Sequence, residues 1–231
     1  MPSKNRREAI LKHMGRYGVT IRPVLDKLFF DGVPDACKND LAELRNHQLV
    51  QTKPGVVPDG HGNKLAYYWL TKAGTQLAGV IPSRSRPPSP EALDRNLASL
   101  WFCCMDTPRR YRLEKQDLIE LFGEEGVQSQ DEKGLIVTGF HCLEEGLDSN
   151  PCVYQLYRTT APRDQCLREI RHRLNLARGN RAIRRWVAAK QYGFAVLTET
   201  PTKQLELQEA IKQRDFGDFR YLITSAPGPW K

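Results

Sequence analysis

Apolar residues recur every three or four positions in three stretches near the N-terminus, a spacing that predicts three amphipathic helices. These stretches are 6–14, 21–30 and 35–47. Two short strands are predicted next, at 49–53 and 65–70, separated by the turn-forming run 54–64. Thr71 is a suitable N-cap for one further helix, 72–80. The first 80 residues are therefore predicted to form three helices, a two-stranded ribbon and a closing helix.

Helical and strand patterns alternate in the second half of the chain, which is typical of an α/β domain. Helices are predicted at 91–105, 114–122, 164–177, 181–191 and 202–214. Strands are predicted at 135–140, 152–159, 194–200 and 219–225, with an acidic connection, 144–150, between the first two. The whole chain is therefore predicted to belong to the α+β or α/β class.

Residues 81–90 (IPSRSRPPSP) interrupt these patterns. Four prolines and three serines in ten residues can continue neither a helix nor a central strand, so an extended linker is predicted here. The linker would separate an N-terminal domain, 1–80, from a second domain, 91–231. A chain of 231 residues is long enough for two small domains.

The whole chain has a net charge of +8, and its positive charge is concentrated toward the two ends. Residues 1–80 carry 12 basic and 7 acidic side chains, 81–162 carry 9 and 13, and 163–231 carry 14 and 7. This distribution favours a polyanionic partner, because Lys and Arg side chains that neutralise phosphates release bound counterions. The alternative is a basic surface that binds nothing specific.

The six cysteines lack the spacing of a zinc site, since none forms a C-x2-C pair and Cys103 is adjacent to Cys104. We expect reduced, mostly buried thiols and no cofactor. No apolar run approaches the roughly 18 residues that a membrane helix needs, and the first residues form no apolar signal core. A soluble, cytoplasmic protein with no membrane partner is therefore expected.

Three helices followed by a two-stranded ribbon are the order of a winged helix-turn-helix, whose third helix enters the major groove of DNA. The predicted DNA-binding residues of this domain are Lys38, Asn39 and Arg45 on the third helix and Lys53, His61, Asn63 and Lys64 on the wing. The aromatic run 67–69 is expected in the core. Asp35, Asp40 and Glu43 lie on the same predicted helix and weaken direct readout, so a winged helix that serves only protein–protein contact stays open.

The segment 163–190 carries nine Lys or Arg side chains against two acidic ones, Asp164 and Glu169. Apolar residues repeat at three and four positions in its first predicted helix, so that stripe packs inward and the basic residues face solvent. The predicted phosphate contacts are Arg168, Arg171, Arg178, Arg181, Arg184 and Arg185. Arginine suits this role because its planar fork binds phosphate through two hydrogen bonds. The alternative is a solvated face, or one that docks on the acidic segment 114–148.

Three stretches carry a resemblance to a known family: YYWLTKAG at 67–74, LWFCCMD at 100–106 and the strand–helix run 152–174. With the order of elements after residue 90, they make the chain similar to the replication-relaxation family of plasmid and mobile-element proteins. The resemblance covers most of the chain. It implies a winged helix followed by a small α/β domain like that of restriction endonucleases, and association with the DNA of a plasmid, phage or integrative element.

Nuclease chemistry on such a scaffold needs carboxylates that hold divalent metal ions, and a lysine two positions after the second acid. The corresponding positions in strand 152–159 are Gln155 and Tyr157. An amide is a poor ligand for Mg²⁺, and a phenol cannot replace an ammonium group. The nearest acids are expected in loops: Asp131, Glu132, Glu144, Glu145 and Asp148. No catalytic or metal-binding residue is therefore predicted.

These observations predict a protein that binds double-stranded DNA without catalysis, in transcription control, replication or transfer. A homodimer or larger assembly is compatible with this function, because winged helices often bind paired half-sites. Two alternatives stay open. One is a metal-dependent nuclease with displaced acidic residues, and the other is an adaptor subunit whose winged helix binds other proteins.

Overall fold

Two β-sheets, each with its own helices, give the chain a mixed α+β architecture. The computed structural model describes residues 3–58, 64–127, 140–144, 151–214 and 219–226. The described residues up to Asp106 form one compact unit, and those from Thr107 to Ala226 form a second.

The first unit alternates helices with a three-stranded antiparallel sheet. Its elements are α1 (Ser3–Tyr17), β1 (Thr20–Ile21), α2 (Arg22–Phe29), α3 (Lys38–Asn46), β2 (Val50–Pro58), β3 (Lys64–Leu70), α4 (Lys72–Ala78), a 3-10 turn (Pro82–Ser85) and α5 (Pro90–Cys104). The strand order is β1-β3-β2, so β2 is an edge strand. Strand β1 was not predicted, because two residues are too few to establish an alternating pattern.

A core of apolar side chains from α1, α2, α3 and one face of β3 holds the first unit together. Its buried members are Ile10, Leu11, Met14, Leu25, Cys37, Leu41, Leu44, Val50, Tyr68 and Leu70. Tyr67 and Trp69, on the opposite face of β3, are also buried, as predicted for the aromatic run 67–69. This burial leaves the charged faces of the helices to solvent.

The corner between β3 and α4 has a clear physical basis in YYWLTKAG. The Thr71 hydroxyl accepts a hydrogen bond from the Gly74 N–H at 3.0 Å, which confirms the predicted cap. A Cβ atom at Gly74 would lie 2.0 Å from the carbonyl oxygen of Leu49, so only glycine fits. The corner thus depends on one cap and one close backbone approach.

The Pro-rich segment 81–90 is not the extended linker that its composition predicts. Residues 82–85 form the 3-10 turn, which contacts α4 and β3. Helix α5 begins at Pro90, where the Ser89 hydroxyl accepts from the Ala92 N–H, and it contacts α1 and α2. The division between the units therefore follows α5 rather than preceding it, and 91–106 belongs with the N-terminal unit.

The second unit is built on a five-stranded mixed sheet of order β4-β5-β6-β7-β8. Its elements are β4 (Arg110–Leu113), α6 (Lys115–Phe122), α7 (Glu124–Val127), β5 (Phe140–Glu144), β6 (Cys152–Arg158), α8 (Arg163–Gly179), α9 (Arg181–Ala188), β7 (Tyr192–Thr198), α10 (Pro201–Lys212) and β8 (Arg220–Ser225). Strands β4, β5 and β6 pair antiparallel, and β6, β7 and β8 pair parallel. The parallel pairs need crossover connections, which α8–α9 and α10 supply.

The helices of the second unit share one core with one face of its sheet. Buried residues of that core include Val153 of β6 and Tyr192 of β7 from the sheet. They also include Phe122 of α6, Ile170 of α8 and Leu207 of α10 from the helices. Because the apolar stripes of α8 and α9 pack inward, their remaining faces are exposed.

One sequence prediction needs correction in this unit, one lies mostly outside the described residues, and one strand was missed. The strand predicted at 135–140 lies, except for Phe140, outside the described residues, and the observed strand runs from Phe140 to Glu144. Glu144 was expected in a loop, but it ends β5 and pairs with Arg110 at 2.7 Å. Strand β4 was missed, because its alternation places arginines, Arg110 and Arg112, at buried positions.

Candidate nucleic-acid interface

A buried carboxylate fixes the turn that leads into α3. Asp26 on α2 is 6% exposed, and its two oxygens accept hydrogen bonds from the backbone N–H groups of Asp35 and Cys37, each at 2.9 Å. The turn contains left-handed backbone at Asp31, Gly32 and Asp35. Because both hydrogen bonds are accepted by a side chain of α2, the turn that precedes α3 is tied to that helix. Helix α3 begins three residues later than predicted, so Asp35 lies in the turn.

Of the acidic residues that the sequence analysis set against direct readout, Asp40 is buried, whereas Glu43 is exposed and paired with an arginine of α1. The buried Asp40 carboxylate accepts hydrogen bonds from Nε of Arg6 at 2.6 Å and from Nε of Arg7 at 3.0 Å. Glu43 forms an ion pair with Arg7. Burial by itself raises the pKa of Asp40, but hydrogen bonds from Arg6 and Arg7 and their positive charges outweigh it and lower the pKa. Asp40 therefore joins α3 to α1 as an anion.

Apart from Glu43, the exposed residues of α3 form two short rows on either side of a small residue. Lys38 and Arg45 form a cationic row, and Asn39 and Asn46 form an amide row, each pair being seven residues or about two turns apart. Ala42 lies between them and is exposed. The structure thus places the predicted Lys38, Asn39 and Arg45 together. Sequence reasoning missed Asn46 and Ala42, although the seven-residue repeat could have identified them.

Two of the lysines predicted for a wing lie on the β2–β3 ribbon, Lys53 opposite Tyr67 and Lys64 opposite Pro58, with Lys64 at the end of the ribbon away from Val50 and Leu70. Lys53 on β2 and Lys64 on β3 are exposed. The predicted wing residues His61 and Asn63 lie outside the described residues. A groove of about 360 Å³ runs beside the edge strand β2, with Arg45, Asn46 and Gln51 among the residues that line it. The C-terminal turn of α3 and strand β2 therefore border one polar groove.

In the second unit, Asn180 sets the junction of the two basic helices. Its side-chain oxygen caps α9 by accepting from the N–H groups of Ala182 at 2.9 Å and Ile183 at 3.2 Å. Its amide nitrogen donates to the carbonyl oxygen of Gly126 at 3.3 Å, which anchors the junction to the end of α7. This cap turns one face of α9 to solvent, and that face carries Arg181, Arg184 and Arg185 at positions i, i+3 and i+4.

The two acidic residues of the basic segment are already paired with arginines. Glu169 accepts from Arg173 at 2.9 Å, and Asp164 lies 3.4 Å from Arg163 and 3.8 Å from Arg214. Five exposed cations, by contrast, form no ion pair with any residue that the structure describes. They are Arg168, Arg181, Arg184, Arg185 and Lys190. We call these five residues the unpaired basic face.

The remaining two predicted phosphate contacts, Arg171 and Arg178, are also exposed, but they interact within the chain. The guanidinium of Arg178 lies 5.4 Å from the ring centre of Phe219. His172 lies one turn after Arg168 on the exposed side of α8, and sequence reasoning did not select it. The positive surface is therefore somewhat wider than the unpaired basic face.

The two residues that the sequence analysis compared with a nuclease site, Gln155 and Tyr157, are buried and half-buried, respectively. Gln155 is 0% exposed, and neither atom of its amide has a hydrogen-bond partner in the described part of the chain. It lies opposite His141, also fully buried, whose Nε2 is 3.4 Å from the Tyr192 hydroxyl. Tyr157, on the same face of β6, is half-buried and lies 4.9 Å from the Arg173 guanidinium. No group of three or more potential metal ligands occurs among the residues described.

Asp131, Glu132, Glu145 and Asp148 lie outside the described residues, so the prediction of a nuclease with displaced acids stays a prediction. All six cysteines are free and buried, as expected. Burial raises the pKa of the Cys37 thiol, and the hydrogen bond and charge of Asp26 raise it further. These thiols therefore fill core positions.

No helix in the described part of the chain is long and apolar enough to cross a membrane. Comparison of the chain with protein-family models, with curated proteins and with solved structures gives no match.

Proposed function

We propose that the protein binds double-stranded DNA without cutting it, as a winged helix-turn-helix joined to a basic, nuclease-like α/β unit. The observation that carries the proposal is the unpaired basic face, Arg168, Arg181, Arg184, Arg185 and Lys190. Arg181, Arg184 and Arg185 lie at positions i, i+3 and i+4 of α9, where like charges repel one another. No ion pair with a described residue neutralises any of the five cations. A polyanion supplies the missing charge, and duplex DNA presents one phosphate charge per about 1.7 Å of its axis.

The first unit supports the choice of duplex DNA over other polyanions. Its order of helices and strands, and its antiparallel sheet with β2 at the edge, fit a winged helix. Helix α3 presents cations and amides, with Asp40 buried against Arg6 and Arg7 and the exposed Glu43 paired with Arg7. Such a face suits a major groove, where base edges offer hydrogen-bond donors and acceptors. In this proposal α3 and the wing contact the site, and α8 and α9 contact backbone phosphates.

The second unit supports binding rather than cleavage. The resemblance to the replication-relaxation family gives Gln155 the position of a nuclease's second acid, and its buried amide is a poor ligand for Mg²⁺. On the resemblance to the replication-relaxation family, we further propose that the DNA belongs to a plasmid, phage or integrative element.

The proposal is tested by titrating the full chain with a random-sequence duplex at several salt concentrations, with and without Mg²⁺. We expect affinity that falls steeply as salt rises, since each neutralised phosphate adds about 0.9 to the slope of log K against log salt. Intact duplex is expected at the end of the Mg²⁺ incubation. Absence of any binding at low salt contradicts the proposal and favours the adaptor alternative, and cleavage that requires Mg²⁺ favours the nuclease.

A further inference from the structure

We propose that Asn39 and Asn46 are the residues through which the protein selects its DNA sequence, by recognising two adenines about three base pairs apart. The inference rests on the proposed DNA binding and goes beyond it, because charge alone gives affinity without sequence preference. It starts from the amide row on the exposed face of α3.

Neither amide has a structural task in the described part of the chain. Asn39 and Asn46 are exposed, and neither forms a hydrogen bond with a described residue. Helix α3 has no side-chain cap at its N-terminus, and the turn before it is held by Asp26 of α2, so neither amide contributes there. The two side chains are therefore free to bind another molecule. The amide of asparagine is suited to adenine, whose N6 and N7 atoms it can engage with two hydrogen bonds in the major groove.

The geometry of α3 sets the distance between the two contacts. Seven residues of α-helix span about 10.5 Å, and base pairs are about 3.4 Å apart along each strand. The amides are thus spaced for bases about three steps apart when the helix lies along the groove. Ala42 lies between the rows, and its methyl group allows the helix to approach the base edges closely.

The neighbouring cations add affinity for the duplex but do not select its bases. Lys38 flanks Asn39 and Arg45 flanks Asn46, so each amide has one positive charge beside it. Arg45 and Asn46 also border the groove beside β2, where a sugar-phosphate backbone can pass. The cations thus hold the duplex against α3 while the amides select the bases.

The test selects bound duplexes from a randomised pool with the wild-type chain, Asn39→Ala and Asn46→Ala. The matched control is Asn5→Ala, which removes an exposed amide from α1 of the same unit. We expect wild type and control to enrich two adenines about three base pairs apart. Each α3 variant should lose the preference at one of them by roughly 5- to 150-fold, while its affinity for random duplex changes less than about twofold.

Salt-dependent duplex binding by wild type with no enriched position overturns this inference and leaves the proposed function intact. Equal enrichment by wild type and both α3 variants also overturns it. Failure of the wild-type chain to bind any duplex at low salt overturns the proposed function, and this inference with it.

Discussion

Asp26 on α2 accepts a hydrogen bond at 2.9 Å from the backbone N–H of Cys37, the residue before α3. The second oxygen of the same carboxylate accepts from Asp35, so one buried side chain satisfies two backbone donors in the turn. This contact ties the turn that precedes α3 to α2. We therefore expect the position of α3 to depend on Asp26.

Replacing Asp26 with Asn should destabilise the first unit by about 1–3 kcal/mol, because one of the two buried N–H groups then faces an amide NH₂ instead of an acceptor. Hydrogen exchange of the α3 amides in the full chain measures the effect locally. Asp31→Asn is the control, since Asp31 is exposed and has left-handed backbone that Asn tolerates. Equal protection of α3 in both variants contradicts the role given to Asp26.

Asp40 should make the stability of the first unit depend on acid pH. Its pKa in the folded chain lies below the ordinary value of 3.8, so its contribution is complete above that value and is lost as the pH falls through the folded pKa. Asp40→Asn should therefore destabilise the chain near neutral pH, and the difference from wild type should disappear at the acid end. Hydrogen exchange of α1 and α3, measured from neutral pH down to below the folded pKa of Asp40, follows this change.

The control for Asp40 is Glu8→Gln, which removes an exposed pair with Lys12 on α1. Surface pairs of this kind contribute little to stability. A constant difference between wild type and Asp40→Asn across the acid range would show that the carboxylate does not act as an anion.

Replacing Gln155 with Met should stabilise the second unit. The buried amide of Gln155 has no hydrogen-bond partner among the described residues, and burial of an unsatisfied polar group costs about 1–3 kcal/mol. Gln204 is the matched contrast, because its side-chain oxygen accepts from the Ser225 N–H at 2.9 Å. Thermal unfolding should show a higher Tm for Gln155→Met and a lower Tm for Gln204→Met. A lower Tm for both variants would mean that Gln155 has a partner.

Placing a carboxylate at the centre of the exposed face of α3 should weaken DNA binding. Ala42→Glu adds a negative charge between Lys38 and Arg45 at a position that faces solvent. We expect stability within about 0.5 kcal/mol of wild type. Duplex affinity should fall roughly 5- to 30-fold, since like charges placed opposite each other disfavour a complex. Unchanged affinity would show that the duplex does not contact this face of α3. Ala42→Gln is the control, because it adds a side chain of similar size without the charge.

Local patterns predicted most elements, whereas pairings between distant residues could not be predicted. Periodicity located α1, α2, α3 and α8, and the cap at Thr71 was identified from the sequence alone. The burial of Asp40 could not be foreseen, because its partners lie 33 and 34 residues away on α1. For the same reason α5 was assigned to the second domain rather than the first, since composition does not reveal which helices it contacts.

The most direct test of DNA binding removes two cations of the unpaired basic face and compares the loss with that of two paired cations. The variant is Arg181→Ala with Arg184→Ala, and the control is Arg163→Ala with Arg214→Ala, both of whose arginines lie within 3.8 Å of Asp164. Random-duplex affinity is measured for each at several salt concentrations between about 50 and 200 mM. We expect the slope of log K against log salt to be smaller than that of wild type by about 1.8 for the variant. The slope should change much less for the control. Equal slopes for wild type, variant and control would contradict the proposed role of the unpaired basic face.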